Sequence, residues 1–337
     1  MAAEPEAGGP PGHDLRRYRE RKVRPGVPEK SRGGRSLGRV ELLRWDLRPS
    51  LRRPVLIAAF EGWNDAGDGA SGAGAYLARR WGAEPFATID PEEFFDFSAT
   101  RPEVRLERGG VRAIDWPETR FSSAPLGSTG RDVVFLRGAE PQLRWRTFCD
   151  LVVEVARTVG IELVVTLGAL LAEVPHTRPV RITGTAQDHA LSDRLGLQQS
   201  RYEGPTGIVG VLHEALSRAG IPSASLWASV PAYVGQTPSP KAALALVSHV
   251  SDLLGVTVPT VDLDVAAAAY ERQVDEVVSA DEEASAYVRS LEAALDADDD
   301  EDDEDDDELD AGNLPGGDDL ADEVERYLRD RSRVSLL

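Results

Sequence analysis

The sequence predicts an α/β protein, built as a three-layer α/β/α sandwich around a mostly parallel sheet. Short continuous apolar runs, such as VLIAAF at residues 55–60 and DVVFL at 132–136, are typical of strands that are covered on both faces. Such runs are followed by a loop and then by a segment with apolar residues at helical spacing. Because this order of strand and helix recurs four or five times, it favours a parallel sheet between two layers of helices.

The individual elements follow from apolar periodicity, turn residues and helix stop signals. Strands are predicted at residues 55–60, 85–89, 132–136, 161–167, 179–183 and 224–230, with a first strand or entry segment at 40–47 and a hairpin at 104–115. Helices are predicted at 70–81, 141–159, 187–195, 206–219 and 238–254. This pattern defines an α/β domain over residues 40–258.

The two ends of the chain differ from this domain in composition. Residues 1–39 are rich in Pro, Gly, Arg and Glu, and we expect a disordered N-terminal arm. A C-terminal helical region is predicted at 259–295, an acidic disordered linker at 296–317 and a short helix at 318–331. The acidic tract could bind basic partners or fold back on the basic arm, or it could serve only as a solvated linker.

Composition excludes several classes of protein. The chain has 337 residues, 41% of them apolar, and a formal net charge of −20, without the basic stripe of a nucleic-acid binder in its folded part. Cys149 is the single cysteine and lies in an apolar run, which indicates a buried thiol and excludes an intrachain disulfide. We expect no membrane span, no cofactor and no metal site. The N-terminus lacks a signal-peptide core, which favours a cytoplasmic protein.

Polar residues follow the first apolar strand of the domain. Glu61, Asn64 and Asp65 could coordinate a cation or hold a sugar hydroxyl. Capping of the next helix is the favoured alternative, because Asn and Asp bind the free amides of a helix start. The same segment contains G-x-G-x-x-G at residues 67–72, but the acids around it would repel a pyrophosphate. Small residues that let the helix lie close to the sheet explain that motif better.

A second group of polar residues lies in the loop expected after Gly168, where the strand at 161–167 ends. Glu173, His176 and Arg178 could act as acid, base and anion ligand. A loop pinned by its two prolines, with His176 bound to a backbone carbonyl, is the structural alternative. Further along, Gly204 and Thr206 lie in a tight turn before a helix, which could attract an anion or could simply permit the turn.

Five segments together point to one known family. They are AFEGWNDAGDGASGA (59–73), TLGALLAEVPHTRPVRITGTA (166–186), YEGPTGIVGVLHEAL (202–216), SVPAYV (229–234) and SPKAALAL (239–246). Over residues 40–290 or so, the chain resembles the PAC2 family in its bacterial, actinobacterial branch. The resemblance implies a fold related to phosphorylases and hydrolases, in particular purine nucleoside phosphorylases. It also implies trimers or other homo-oligomers and a link to proteasome assembly, from which the family takes its name.

The chain departs from the family pattern VPHYV…NPKA at two positions. Ala232 stands where His is expected, and Ser239 stands where Asn is expected. If the first position carried catalysis, this chain would lack it. The resemblance therefore favours a non-catalytic, self-associating platform that binds a protein partner such as proteasome subunits, in proteasome assembly or quality control.

The alternative function is a nucleoside- or nucleotide-type binding protein, or a phosphorylase- or hydrolase-like enzyme. Its pocket would be lined by Glu61, Asn64, Asp65, Glu173, His176 and Arg178.

Overall fold

The sheet follows the apolar runs of the sequence. The computed structural model describes residues 42–107, 110–127, 129–186, 189–195, 197–199 and 203–302. In chain order its strands are β1 (Leu43–Trp45), β2 (Val55–Glu61), β3 (Glu84–Ile89), β4 (Glu103–Leu106), β5 (Arg112–Asp115), β6 (Thr119–Leu126), β7 (Arg131–Ala139), β8 (Leu163–Ala172), β9 (Ile182–Ala186), β10 (Gln198–Gln199) and β11 (Ser223–Pro231). Strands β4 and β5 pair with each other, and the others form one sheet in the order β1-β3-β6-β7-β2-β8-β11-β9-β10.

The centre of the large sheet is parallel. Strands β7, β2, β8 and β11 pair in parallel, whereas β1, β3 and β6 on one side and β9 on the other pair antiparallel to their inner neighbours. The first six residues of β2 are all buried, as expected for a strand covered on both faces.

Helices cover both faces of this sheet. They are α1 (Gly69–Arg80), α2 (Trp145–Val159), α3 (His189–Leu195), α4 (Ile208–Ala219), α5 (Pro240–Leu254), α6 (Val261–Ser279) and α7 (Glu282–Asp302). Buried side chains of α1 and α5 share one apolar core, and those of α2 and α4 share a second core on the opposite face. Gly160 and Gly255 end α2 and α5 in the left-handed conformation, as their positions predict. The predicted three-layer α/β fold is confirmed.

Several boundaries differ from the sequence-based prediction. Strand β6 was not predicted, because its sequence TRFSSAPL has no apolar run, although Thr119 and Ser122 are buried in the sheet. Strand β8 continues past Gly168 to Ala172, paired with β11 throughout. Helix α2 begins at Trp145 rather than near 141, because Arg144 adopts a left-handed conformation with φ 53°.

The C-terminal region forms the two helices α6 and α7. Helix α7 ends at Asp302, so it includes seven residues of the segment predicted to be an extended acidic linker. The N-terminal arm, the remainder of that linker and the short helix predicted at 318–331 lie outside the described residues.

The hairpin of β4 and β5, predicted around the Gly109-Gly110 turn, has one charged face and one largely apolar face, on which Arg112 lies opposite Leu106. Val104 lies opposite Ile114, and Leu106 is two residues further along the same face; these side chains are 62%, 53% and 70% exposed. On the other face, Arg105 binds Asp115, with 2.9 Å between Nε and Oδ2. The apolar face is therefore open in the described part of the chain.

Candidate functional site

The loop after β2 positions Asn64 and Asp65 at the start of α1. The Asp65 carboxylate accepts hydrogen bonds from the backbone N–H groups of Ala70 and Ser71, at 2.7 and 3.0 Å. It thus binds free amides in the first turn of α1, which is the capping role predicted as one alternative. Burial raises the pKa of Asp65, although these hydrogen bonds act in the opposite direction.

Two buried polar atoms of this loop have no hydrogen-bond partner among the described residues. They are Nδ2 of Asn64 and Oδ2 of Asp65. The backbone carbonyl of Asn64 accepts from the N–H of Ala169 in β8, at 2.9 Å, which fixes the loop against the sheet.

The small residues of α1 serve close packing. A Cβ atom on Gly69 would lie 3.1 Å from the Cβ atoms of Ala169 and Ala242, and one on Gly74 would lie 3.0 Å from that of Ala59. At Gly69 and Gly74, helix α1 therefore lies against the sheet and α5 with no room for a larger side chain. Close packing explains Gly69, and the left-handed backbone of Gly67, with φ +56°, explains a second glycine of the G-x-G-x-x-G pattern.

Gly168 is required by the packing of β8 on β11. It lies opposite Trp227 in the register of these strands. A Cβ atom at this position would lie 2.2 Å from Cε3 of the Trp227 ring, well inside any normal contact. Gly168 is therefore a packing residue within the strand and does not begin the polar loop, which starts at the exposed Glu173.

His176 is only 2% exposed and lies at the centre of a hydrogen-bond network that reaches the exposed Asp275. The Tyr233 hydroxyl accepts the backbone N–H of His176 at 2.8 Å and lies 2.7 Å from its Nδ1. The hydroxyl proton is then free to be donated to Nδ1, so that Nε2 carries the ring proton and donates to Asp275 of α6, at 2.9 Å. Burial raises the pKa of Tyr233 to about 12, which keeps that proton on the hydroxyl.

The backbone around His176 is held by a lysine as well. Lys241 of α5 donates a hydrogen bond to the carbonyl oxygen of His176 and forms an ion pair with Glu271 of α6, at 3.2 Å. Both ring nitrogens of His176 and its backbone groups are thus bound to neighbouring helices and to Tyr233. The residue fastens the loop to α5 and α6 rather than presenting a free base.

The next two residues of the loop bind α7. The Arg178 guanidinium contacts Asp296 through two hydrogen bonds of 2.9 and 2.7 Å, and Glu292 at 3.3 Å. Thr177 donates to Glu292 as well. Asp296 and Glu292 lie four residues apart and so share one face of the helix. The acidic side of α7 is therefore partly neutralised by the loop.

At the N-terminus of α4, the first backbone amide is already bound by a side chain of the protein. The first amide of α4, that of Ile208, donates to Oε1 of Glu140 at 2.8 Å, so a carboxylate of the protein already occupies this helix N-terminus. Gly204 and Thr206 are exposed, and the Thr206 side chain lies over Gly210 in the first turn of α4. This arrangement fits a turn more closely than an anion site.

The candidate residues do not converge on one pocket. Glu61 lines a cleft of 420 Å³ beside Glu140 and Trp145, which we call the switch-point cleft. His176 lines a different cleft of 310 Å³, between the loop and the helices α6 and α7. Asp65 is bound to α1 and Arg178 to α7, as described above.

Sequence reasoning missed the partners of the loop: Tyr233, Lys241, Glu271, Asp275, Glu292 and Asp296. One signal was available, because Glu271 and Asp275 on α6, like Glu292 and Asp296 on α7, have the four-residue spacing of one helix face. Nothing in the sequence indicated that these acids face the loop rather than solvent.

Cys149 is buried, as its apolar run predicts, and both ring nitrogens of His213 have hydroxyl partners. Burial raises the pKa of the Cys149 thiol to about 12. Nε2 of His213 lies 2.9 Å from the Thr166 hydroxyl, and its Nδ1 lies 2.7 Å from the Ser223 hydroxyl. Burial lowers the pKa of His213 to about 4.

Within the described ranges no group of three or more His, Cys, Asp or Glu side chains could hold a metal ion. The described helices include none that is both long and apolar enough to cross a membrane.

Comparison with known proteins decides the family. The model of the PAC2 family matches residues 59–278, more than half of the chain. The chain belongs to the PAC2 family. No curated protein matches it.

Solved structures of PAC2 proteins share this fold. A PAC2 family protein from Streptomyces avermitilis is 50% identical, with a TM-score of 0.66, over 70% of this chain and 99% of that one. A proteasome-assembly chaperone homologue from Mycobacterium tuberculosis is 48% identical, with a TM-score of 0.64, over 69% and 99%. An archaeal proteasome activator from Pyrococcus furiosus is 18% identical and shares the fold, with a TM-score of 0.57, over 70% and 97%.

The two residues that depart from the expected PAC2 pattern both lie at the start of a helix. Ala232 begins a short 3-10 helix that also contains Tyr233, the partner of His176. Ser239 caps α5, because its hydroxyl accepts from the N–H of Ala242 at 3.2 Å. Since Asn is also a preferred N-cap residue, Ser239 retains the capping function that the expected Asn would have.

Proposed function

We propose that this PAC2 protein is a non-catalytic platform that associates with copies of itself and holds a protein partner, in the assembly or quality control of proteasomes. The polar residues that could have formed an active site support this proposal. His176 uses both ring nitrogens for contacts with Tyr233 and Asp275, and Arg178 is paired with α7. These side chains join parts of the fold.

The observation that carries self-association is the apolar face of the β4–β5 hairpin. Leu106, Val104 and Ile114 present large side chains to solvent within one short two-stranded unit. Trp116 beside it is 47% exposed and is held in place by an edge-on contact with Phe97, with 4.9 Å between ring centroids. Contiguous exposed apolar side chains of this kind mark interaction surfaces.

A second copy of the chain is the occupant that this face fits. An apolar face is self-complementary, as a two-fold contact between identical surfaces requires. The net charge of −20 makes two copies repel each other, so contact is favoured through a face whose one charged side chain in β4 and β5, that of Arg112, is basic. The resemblance to the family favours a trimer, and this is the alternative assembly, in which the hairpin face would contact a different surface of the next copy.

Sedimentation equilibrium of the full chain over a range of concentrations tests this part of the proposal. We expect a homo-oligomer whose dissociation depends little on salt, because apolar contacts are not screened. Association that disappears at high salt would assign the contact to charged surfaces instead.

The partner proposal is supported by a PAC2 relative that is 48% identical and is described as a proteasome-assembly chaperone homologue. A pull-down with purified proteasome subunits tests it, with an unrelated acidic protein of similar net charge as the control bait. We expect enrichment of proteasome subunits on the PAC2 bait. Equal recovery on both baits would reject proteasome subunits as partners.

A further inference from the structure

The switch-point cleft lies where the connections of the sheet diverge. Strand β2 leads to α1 on one face of the sheet, and its neighbour β7 leads to α2 on the opposite face. Loops that separate in this way leave a crevice at the carboxyl ends of the strands, where open α/β sheets bind ligands. The volume of 420 Å³ lies in the range of small-molecule sites.

Two carboxylates line this cleft. Glu61 ends β2, and Glu140 follows β7. Oε1 of Glu140 is held by the N–H of Ile208, whereas Oε2 lies 3.5 Å from the position that a Cβ atom on Gly62 would take. Gly62 adopts φ +128° and has no side chain, so this oxygen faces an open wall of the cleft.

No cationic side chain of the described residues forms an ion pair with either carboxylate. Arg137 interacts with Glu61 at longer range, and burial lowers the pKa of its guanidinium. The cleft therefore keeps a negative charge that is only partly compensated.

The remaining walls suit an organic cation. Trp145 is half-buried, and its indole N–H donates to the carbonyl of Pro141, which fixes the ring at the cleft. Aromatic rings in fixed positions attract ammonium groups. Thr100 accepts a hydrogen bond from Gln142 at 2.9 Å and retains a second lone pair for a ligand.

We propose that the switch-point cleft binds a primary ammonium group. Such a group has three N–H donors, and the cleft offers three acceptors: the Glu61 carboxylate, Oε2 of Glu140 and the Thr100 hydroxyl. The ammonium group belongs either to a free diamine or to a lysine side chain of a protein partner. The site does not depend on the self-association proposed above.

Titration calorimetry of the full chain with two probes tests this inference. The probes are 1,5-diaminopentane and Nα-acetyl-lysine methylamide, and Nα-acetyl-norleucine methylamide serves as the uncharged control. Saturable binding of the diamine alone assigns a free amine. Saturable binding of the lysine probe assigns a side-chain ligand, whether or not the diamine binds.

Variants distinguish binding at this cleft from general attraction of a cation to an acidic protein. Glu61→Gln should weaken binding by about tenfold or more, and Trp145→Leu should weaken it without any change in charge. Glu173→Gln, which removes the same charge from an exposed site in another loop, should change the affinity by less than about twofold.

Thermal melts of each variant confirm that it is folded. Absence of saturable binding of both probes up to about 10 mM would overturn the proposal. Equal weakening by Glu61→Gln and Glu173→Gln would also overturn it, because the binding would then be general attraction to an acidic protein.

Discussion

Replacing Gly168 with alanine should destabilise the central sheet through a steric overlap with Trp227. The added Cβ atom would lie 2.2 and 2.4 Å from two carbons of the indole ring, whereas carbon atoms in contact are normally about 3.5–4.0 Å apart. The ring cannot swing away freely, because its Nε1 donates to the Ser225 hydroxyl at 3.0 Å. Overpacking typically costs about 1–3 kcal/mol, and we expect the upper end of that range.

Urea unfolding of four variants measures this effect. Gly127→Ala is the matched control, since nothing lies within 4 Å of its Cβ position; its free energy of unfolding should change by less than about 1 kcal/mol. Trp227→Leu alone should be destabilising, but the double variant with Gly168→Ala should be less destabilised than the sum of the two single variants, by about 1–2 kcal/mol. Strict additivity, or equal effects of Gly168→Ala and Gly127→Ala, would refute the overlap.

Three further predictions concern charged and titratable groups. Arg178→Gln should speed amide hydrogen exchange in α7, because it removes the ion pairs that hold this helix to the loop. Since these ion pairs are partly exposed, the free energy of unfolding should fall by only about 1 kcal/mol or less. Arg289→Gln is the control with the same charge change, and identical exchange in both variants would contradict the contact. His213 has its pKa lowered to about 4, so the stability that its neutral form contributes is complete above the unfolded pKa of about 6.5 and is lost as pH falls towards 4. His213→Gln should therefore show a shallower loss of unfolding free energy between these pH values, and an unchanged slope would contradict the buried neutral state. Cys149, with a pKa of about 12, should resist alkylation by iodoacetamide at pH 8 in the folded protein and react once the chain is unfolded in urea; rapid labelling of the native protein would contradict its burial.

The central strands could be predicted because their residues leave few alternatives. The run at 55–60 is apolar throughout, and only a strand covered on both faces buries all of it. Strand β6 could not be predicted in this way, since its position between β3 and β7 buries Thr119 and Ser122, which local sequence places equally well on a surface.

The polar loop shows the same limit at the level of the site. The sequence shows that His176 and Arg178 follow a strand in a polar loop. The role of His176 depends on Tyr233 and Asp275, 57 and 99 residues away, and that of Arg178 depends on Asp296, 118 residues away. Such distant contacts are set by the packing of α6 and α7 and not by any local spacing, so the choice between a catalytic loop and a structural one needed the fold.

The most direct test of the platform is a comparison of two variants on opposite faces of the β4–β5 hairpin. Leu106→Gln removes an exposed apolar side chain, and Glu103→Gln changes the charged face of the same strand. Burying a leucine contributes about 1.5–3 kcal/mol, so Leu106→Gln should raise the dissociation constant of the homo-oligomer at least about tenfold. Glu103→Gln should leave it within about twofold of the unmodified chain. In sedimentation equilibrium, a monomeric unmodified chain at about 100 µM, or equal association of both variants, would contradict the account.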